Sequence, residues 1–204
     1  MATDGTNEPS MNSADDTFLK SMFYEQLVEY VFVSEVLQEA WYYFGQTIEV
    51  LRSEVDSSGY DIVFECNGIM RHVQLKTSRV DARASSQKVN IALASKPSGC
   101  IVWLLRNEDC LTHRMRLSYL FFGGEPGQQL PSLDGLRIAK TTKANTQGIK
   151  KERNAIRIVP KSRFQSILST RDLVGSLFGL RERANQDFIE QTEAAVDESE
   201  DEDV

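Results

Sequence analysis

The stretch Gly59-Tyr60-Asp61-Ile62-Val63-Phe64-Glu65-Cys66-Asn67-Gly68-Ile69-Met70-Arg71-His72-Val73-Gln74-Leu75-Lys76 decides how this chain folds. Two strand-like runs flank Asn67-Gly68, a dipeptide that accepts positive φ at both central positions of a tight hairpin turn. A two-residue turn at that point fixes the pairing. Cys66 faces Ile69, Phe64 faces Arg71, Ile62 faces Val73 and Asp61 faces Gln74. Opposite residues share a face and successive residues alternate. One face therefore carries Ile62, Phe64, Arg71, Val73 and Leu75, and is mostly apolar. The other carries Asp61, Val63, Glu65, Met70, His72, Gln74 and Lys76. A slip of one residue would exchange the two faces, and the apolar set opposes that slip. An acid, an amide and an amine, Asp61, Gln74 and Lys76, then converge at one end of the hairpin.

Upstream, Asp15, Asp16 or Thr17 can cap a helix in which Leu19, Phe23, Leu27, Tyr30, Leu37, Trp41 and Phe44 recur at three- and four-residue steps. The spacing predicts a helix from about 17 to 44 with these residues as its core stripe. Thr47 to Leu51 reads as a strand and Ser53 to Gly59 as a polar loop. Downstream, Ser85 or Ser86 can cap a short helix through Ala94, and Pro97-Ser98-Gly99 breaks the chain before the buried-type strand Cys100 to Leu105. Met115 to Phe122 is a further strand, 123–154 is loop-rich, and Ala155 to Val159 is the last strand. Arg163 to Leu168 and Thr170 to Phe178 read as two short helices, the second capped by Ser169 or Thr170. This order predicts an α/β (α+β) domain with a mixed central sheet flanked by helices.

The formal net charge of -7 is unevenly placed. Residues 1–17 hold four acids and 187–204 hold nine, with no Lys or Arg in either segment. Without them, 17 acids stand against all 23 bases, so the body is +6. The ends, 1–16 and 184–204, are too polar to offset the entropy of ordering and are expected to be disordered around one domain, 17–183. No run approaches the roughly 20 apolar residues of a membrane span, and the N-terminus lacks the pattern of a secretion signal. A cytoplasmic protein with no membrane partner is the expectation. Cys66, Cys100 and Cys110 form no Cys-x-x-Cys pair, and only His72 and His113 accompany them, which argues against a zinc site or a disulfide framework.

Gly59-Tyr60-Asp61-Ile62-Val63 followed by Val73-Gln74-Leu75-Lys76-Thr77, placed on strand, turn and strand after a long helix, resembles the core of the PD-(D/E)XK nuclease superfamily, the restriction-endonuclease-like proteins. The likeness covers roughly residues 20–105. It implies that Asp61 ligates Mg²⁺ or Mn²⁺, that the Leu75 backbone carbonyl adds a ligand, and that Lys76 orients the attacking water and steadies phosphoryl charge. Hard oxygen donors and retained waters suit such an ion. Family members often add a Glu from the first helix, and Glu29, next to Met22, Val33 and Val36, is the choice over Glu25, with Glu35 placed nearly opposite the stripe. The departure is Gln74, which stands where the family usually has an acid and supplies a carbonyl without charge.

The resemblance thus implies a nuclease acting on nucleic acid, DNA in first place, with Glu29, Asp61, Gln74 and Lys76 as its site. Arg71, Arg79, Arg83 and Lys88 flank the site as candidates for contacts to the substrate backbone. Two other functions fit the same sequence: a nucleic-acid-binding module that kept the fold without the activity, and an interaction protein acting through its acidic tail. Asp61 and Lys76 also fit an ordinary cross-strand ion pair. Lys140, Lys143, Lys150, Lys151, Arg153 and Arg157 suit a phosphate groove and a solvated basic loop equally. A homo-oligomer is compatible with all of these.

Overall fold

The computed structural model describes residues 13–52, 59–109, 111–143 and 146–181. Helix α1, Ser13–Gln38, continues into a π-helical turn, Glu39–Tyr43. Strands β1 (Glu49–Arg52), β2 (Ile62–Cys66) and β3 (Ile69–Arg79) follow. Next come β4 (Ser86–Asn90), a 3-10 turn (Ile91–Ser95), β5 (Cys100–Asp109) and β6 (Arg114–Gly123). The chain closes with β7 (Ile138–Lys140), β8 (Glu152–Pro160), a 3-10 turn (Lys161–Arg163), β9 (Gln165–Ile167) and α2 (Thr170–Phe178). The expectations for 1–12, Cys110 and 182–204 lie outside the described residues, whereas Ser13 to Asp16, expected to belong to the N-terminal tail, already form the first turn of α1.

The predicted hairpin register is the observed one. Ile62 pairs with Val73, Phe64 with Arg71 and Cys66 with Ile69, and Asn67 and Gly68 both have positive φ, 51° and 78°. Around this hairpin a six-stranded sheet runs in the order β1-β2-β3-β5-β6-β9. All neighbours are antiparallel except β3 and β5, which are parallel, so the sheet is mixed. A second, three-stranded antiparallel sheet has the order β4-β8-β7. The fold is therefore mixed α+β.

Two cores result. Val28, Phe32 and Val36 of α1 pack with Leu173 and Leu177 of α2 on Ile62, Phe64, Val73, Val102 and Leu104 of the large sheet. On its other face, Ile101, Trp103, Leu120 and Phe122 pack with Val89 and Val159 of the small sheet. The large sheet is thus covered by helices on one face only, and by the small sheet on the other. That second layer explains why Val63, His72 and Gln74, on the less apolar side of the hairpin, are also buried.

Several local expectations are corrected. Ser86–Asn90 is a strand, and only the Asn90-capped turn after it is helical, with the Ala92 N–H donating to Asn90 Oδ1 at 3.0 Å. Arg163 to Leu168 contains strand β9 on the edge of the large sheet rather than a helix. The region expected to be loop contains β7 and the start of β8. The largest correction concerns α1, whose buried stripe is Val28, Phe32, Val33, Val36 and Ala40. Of the expected core stripe, Leu19, Phe23, Leu27, Tyr30 and Trp41 are exposed on the opposite side, whereas Phe44 is buried and Leu37 is partly buried against the core. Glu35 accordingly flanks the buried stripe, where it accepts hydrogen bonds from the Tyr119 hydroxyl and from Thr170 Oγ1, the latter at 3.2 Å.

This polar knot joins α1, β6 and α2. Burial, and then the Glu35 carboxylate, push the Tyr119 hydroxyl well above its ordinary range. The folded-state value lies above the unfolded one, so the associated stability is complete below about pH 10 and is lost as pH rises beyond it. Tyr119→Phe is expected to cost about 1–2 kcal/mol at neutral pH and to weaken the alkaline loss. Urea unfolding of both proteins at pH 7 and pH 10.5 checks this.

Candidate functional site: a cleft where β3 outruns β2

Strand β3 continues to Arg79, but its pairing with β2 ends at Val73. Beyond that point its β2-facing edge opens into a cleft of about 520 Å³, bounded by α1 and by β4. The lining includes Asp61, Leu75, Lys76 and Thr77 from the hairpin, Met22, Glu25, Gln26 and Glu29 from α1, and Gln87 from β4. The sequence places them there by simple periodicity. Met22, Glu25, Gln26 and Glu29 continue the buried stripe of α1 toward its N-terminus, so two carboxylates stand where apolar residues would otherwise meet the sheet. The same part of α1 is held over β5 by Tyr24, which accepts a hydrogen bond from Arg106 at 2.8 Å while the guanidinium lies 4.5 Å from its ring centroid.

Asp61 is fixed by its backbone and its side chain. Its N–H donates to Val73 O at 2.9 Å, and its Oδ2 accepts from the Leu75 N–H at 2.6 Å. Gly59 makes this entry possible, since its φ of +76° is strained for other residues and an added Cβ would lie 3.0 Å from the Asn90 Cβ. Glu29 is ion-paired with Arg52 at 2.8 Å. Lys76 is partly buried beside Trp103, its register partner on β5.

Asp61, Leu75, Lys76 and Glu29 are therefore brought to one cleft, along with the second-choice Glu25. Gln74 is not among the lining residues. Its side chain is only 5% exposed, and its Oε1 has no hydrogen-bond partner among the described residues. Leaving a buried carbonyl unpaired costs about 1–3 kcal/mol, so this atom calls for an explanation. Gln87, which reaches the cleft from β4, carries no signal in the sequence.

The flanking bases separate. Arg71 is fully buried and leaves the set expected to touch a substrate backbone. Its Nη2 donates to Gly124 O at 3.1 Å and Ser176 O at 3.4 Å, its Nη1 donates to Glu125 O at 3.4 Å, and burial lowers its pKa. Arg79 is exposed and ion-paired with Asp81 at 3.0 Å. Arg83 and Lys88 are exposed, and Lys88 follows Gln87 on β4. His72 is held by Pro97 O at 2.8 Å and by the Tyr60 ring. Cys66 and Cys100 are free and buried, with burial pushing the Cys100 thiol up to about 11, so neither is an activated nucleophile.

Among the described residues no three His, Cys, Asp or Glu cluster as a metal site. The oxygen donors of the cleft are the carboxylates of Asp61, Glu25 and Glu29 and the Leu75 carbonyl, with the unpaired Gln74 Oε1 buried outside its lining. These are hard oxygens, of the kind Mg²⁺ or Mn²⁺ takes, although Glu29 is already paired with Arg52. No protein-family model, curated protein or solved structure matches the chain. No helix among the described residues is long and apolar enough to cross a membrane.

Proposed function

We propose that this protein is a metal-dependent nuclease with a restriction-endonuclease-like core, acting on DNA. The observation that carries the reading is the meeting of Asp61 and Lys76 with two α1 glutamates in one open cleft. Asp61 and the Leu75 carbonyl would hold the ion in the cleft, with Gln74 Oε1 a third ligand if its side chain turns toward them. When bound, the ion supplies Lewis-acid polarisation of a phosphate oxygen and lowers the pKa of a bound water. The Leu75 N–H keeps the Asp61 carboxylate in a fixed orientation. Lys76, on the same cleft wall, offers a compact positive charge to an oxygen of the scissile phosphate. Arg83 and Lys88 provide exposed cations for the flanking backbone, and the Glu29–Arg52 pair closes the far side.

The burial of Gln74 away from the cleft favours a second reading, in which the module binds nucleic acid without cutting it. Incubation with DNA and RNA in Mg²⁺, Mn²⁺ or EDTA separates the two. Cutting that needs the ion supports the nuclease, and salt-sensitive binding with no cutting in any metal supports the binding module. Gln74→Glu provides a readout without substrate. A carboxylate buried there is expected to lower Tm in EDTA, and Mg²⁺ is expected to recover that loss if the side chain faces the ion. A Tm indifferent to Mg²⁺ removes Gln74 from the ligand set.

A further inference from the structure

We propose that the outward face of α1 is a self-association seam that joins two copies of this chain in antiparallel orientation. The face turned away from the protein's own core carries Phe23, Leu27, Tyr30 and Ser34, with Leu37 at its edge, partly buried against that core, and Trp41 continuing it on the π-helical turn. Their steps of four, three, four, three and four residues are the a/d spacing of a helix that packs on another helix. A surface helix with one partner needs one apolar stripe, and α1 already has one in Val28, Phe32, Val33 and Val36. Most of the second stripe stays open to solvent: Phe23 is 66% exposed, Trp41 54%, and Tyr30, with the Arg52 guanidinium 5.4 Å from its ring centroid, 56%.

The occupant is another copy because the stripe complements itself. With Tyr30 set against Ser34 of the second copy, the same antiparallel register sets Leu27 against Leu37 and Phe23 against Trp41. Large side chains then meet small or matching ones along the whole seam. A parallel pair would instead crowd Tyr30 on Tyr30 and leave a gap at Ser34. The helix positions flanking the seam, Tyr24, Gln26, Val31 and Gln38, carry no charge, so these positions do not repel their counterparts in a second copy. A groove of about 550 Å³ beside it, between Leu27, Tyr30, Ser34 and Glu35 of α1 and the start of β6 at Arg114 and Met115, has room for the second helix's side chains.

The area is sufficient. Aromatic side chains present about 150–250 Å² each, so the exposed parts of this stripe offer roughly 500 Å² per copy and roughly 1,000 Å² per pair, the smallest size a specific interface clears. A pair of that size belongs with the weak, transient interfaces. The seam lies on the side of α1 opposite Glu25 and Glu29, with Gln26 between it and the cleft, and does not depend on what the cleft binds.

Sedimentation of the full chain tests it. The expected mass is twice 23.1 kDa at about 100 µM, with dissociation on dilution. Phe23→Glu and Trp41→Lys, both at exposed positions, are each expected to weaken the pair at least about 100-fold, and an equimolar mixture of the two is expected to pair again, because the register opposes 23 to 41. If Trp41→Lys disturbs the fold by circular dichroism, Tyr30→Glu with Ser34→Lys makes the same test. A monomer at every concentration, a dimer indifferent to these variants, or mixtures that stay monomeric would overturn the proposal.

Discussion

Asp61→Asn is expected to lower ion-dependent cleavage at least about 1,000-fold while leaving the fold intact, because it removes the cleft's fixed charge and little else. The amide oxygen of Asn can still accept the Leu75 N–H, now made by Asp61 Oδ2 at 2.6 Å, so the hairpin end keeps its bond. Stability should change by less than about 1 kcal/mol. Lys76→Ala is expected to cost about 100- to 1,000-fold through loss of the cation beside the phosphate. Groups that act as one unit are not additive, so the double variant should fall little below Asp61→Asn alone. Single-turnover rates on a labelled duplex in Mg²⁺, with Tm of each variant alongside, make the check. Cutting that survives both substitutions would belong to a contaminant, and the nuclease reading would fail with it.

Arg71→Ala is expected to be the most damaging single change to the fold, at about 3–5 kcal/mol. Its guanidinium is fully buried against the Phe121 ring, 5.6 Å from the centroid, and bonds carbonyls of Gly124, Glu125 and Ser176. It thereby ties β3 to the loop after β6 and to α2. Alanine leaves both a cavity and unpaired carbonyls. Arg71→Met fills much of the space and removes the burial of a charge, so it should cost less than Arg71→Ala. Urea titration of the two variants gives the ranking, and equal stabilities would mean that the filled volume does not matter.

The hairpin was legible in the sequence because its information is local: Asn67-Gly68 accepts the two positive φ values, and alternation sets the rest. The convergence of Asp61 and Lys76 followed from that register. The facing of α1 was not legible, because Phe23, Leu27, Tyr30 and Trp41 repeat as regularly as Val28, Phe32, Val33 and Val36, and periodicity cannot say which stripe meets the sheet. Strands β4 and β9 escaped notice for a different reason. Ser86-Gln87-Lys88-Val89-Asn90 and Gln165-Ser166-Ile167 are short and polar, and pairing with distant strands makes them extended. Gln87 could not be assigned to the cleft for the same reason. Arg71 sat on an apolar face in the predicted register, and that placement was the available sign of its burial.

The small sheet has a consequence for how the protein reaches its native state. Strand β4 leaves the end of β3 and finds its partner only at β8, with Ser86 opposite Pro160. The parallel β3–β5 pair is likewise closed by a crossover rather than a turn. Contacts so far apart in the chain carry a large loop-closure cost before they return any stabilisation, and they slow folding. The Asn67-Gly68 hairpin can form early from its own turn, bringing Asp61 beside Leu75, but the wall that carries Gln87 arrives only with the long-range β4–β8 closure. The cleft is thus a late product of folding, and a refolding chain should regain hairpin structure before it regains any property of the assembled site.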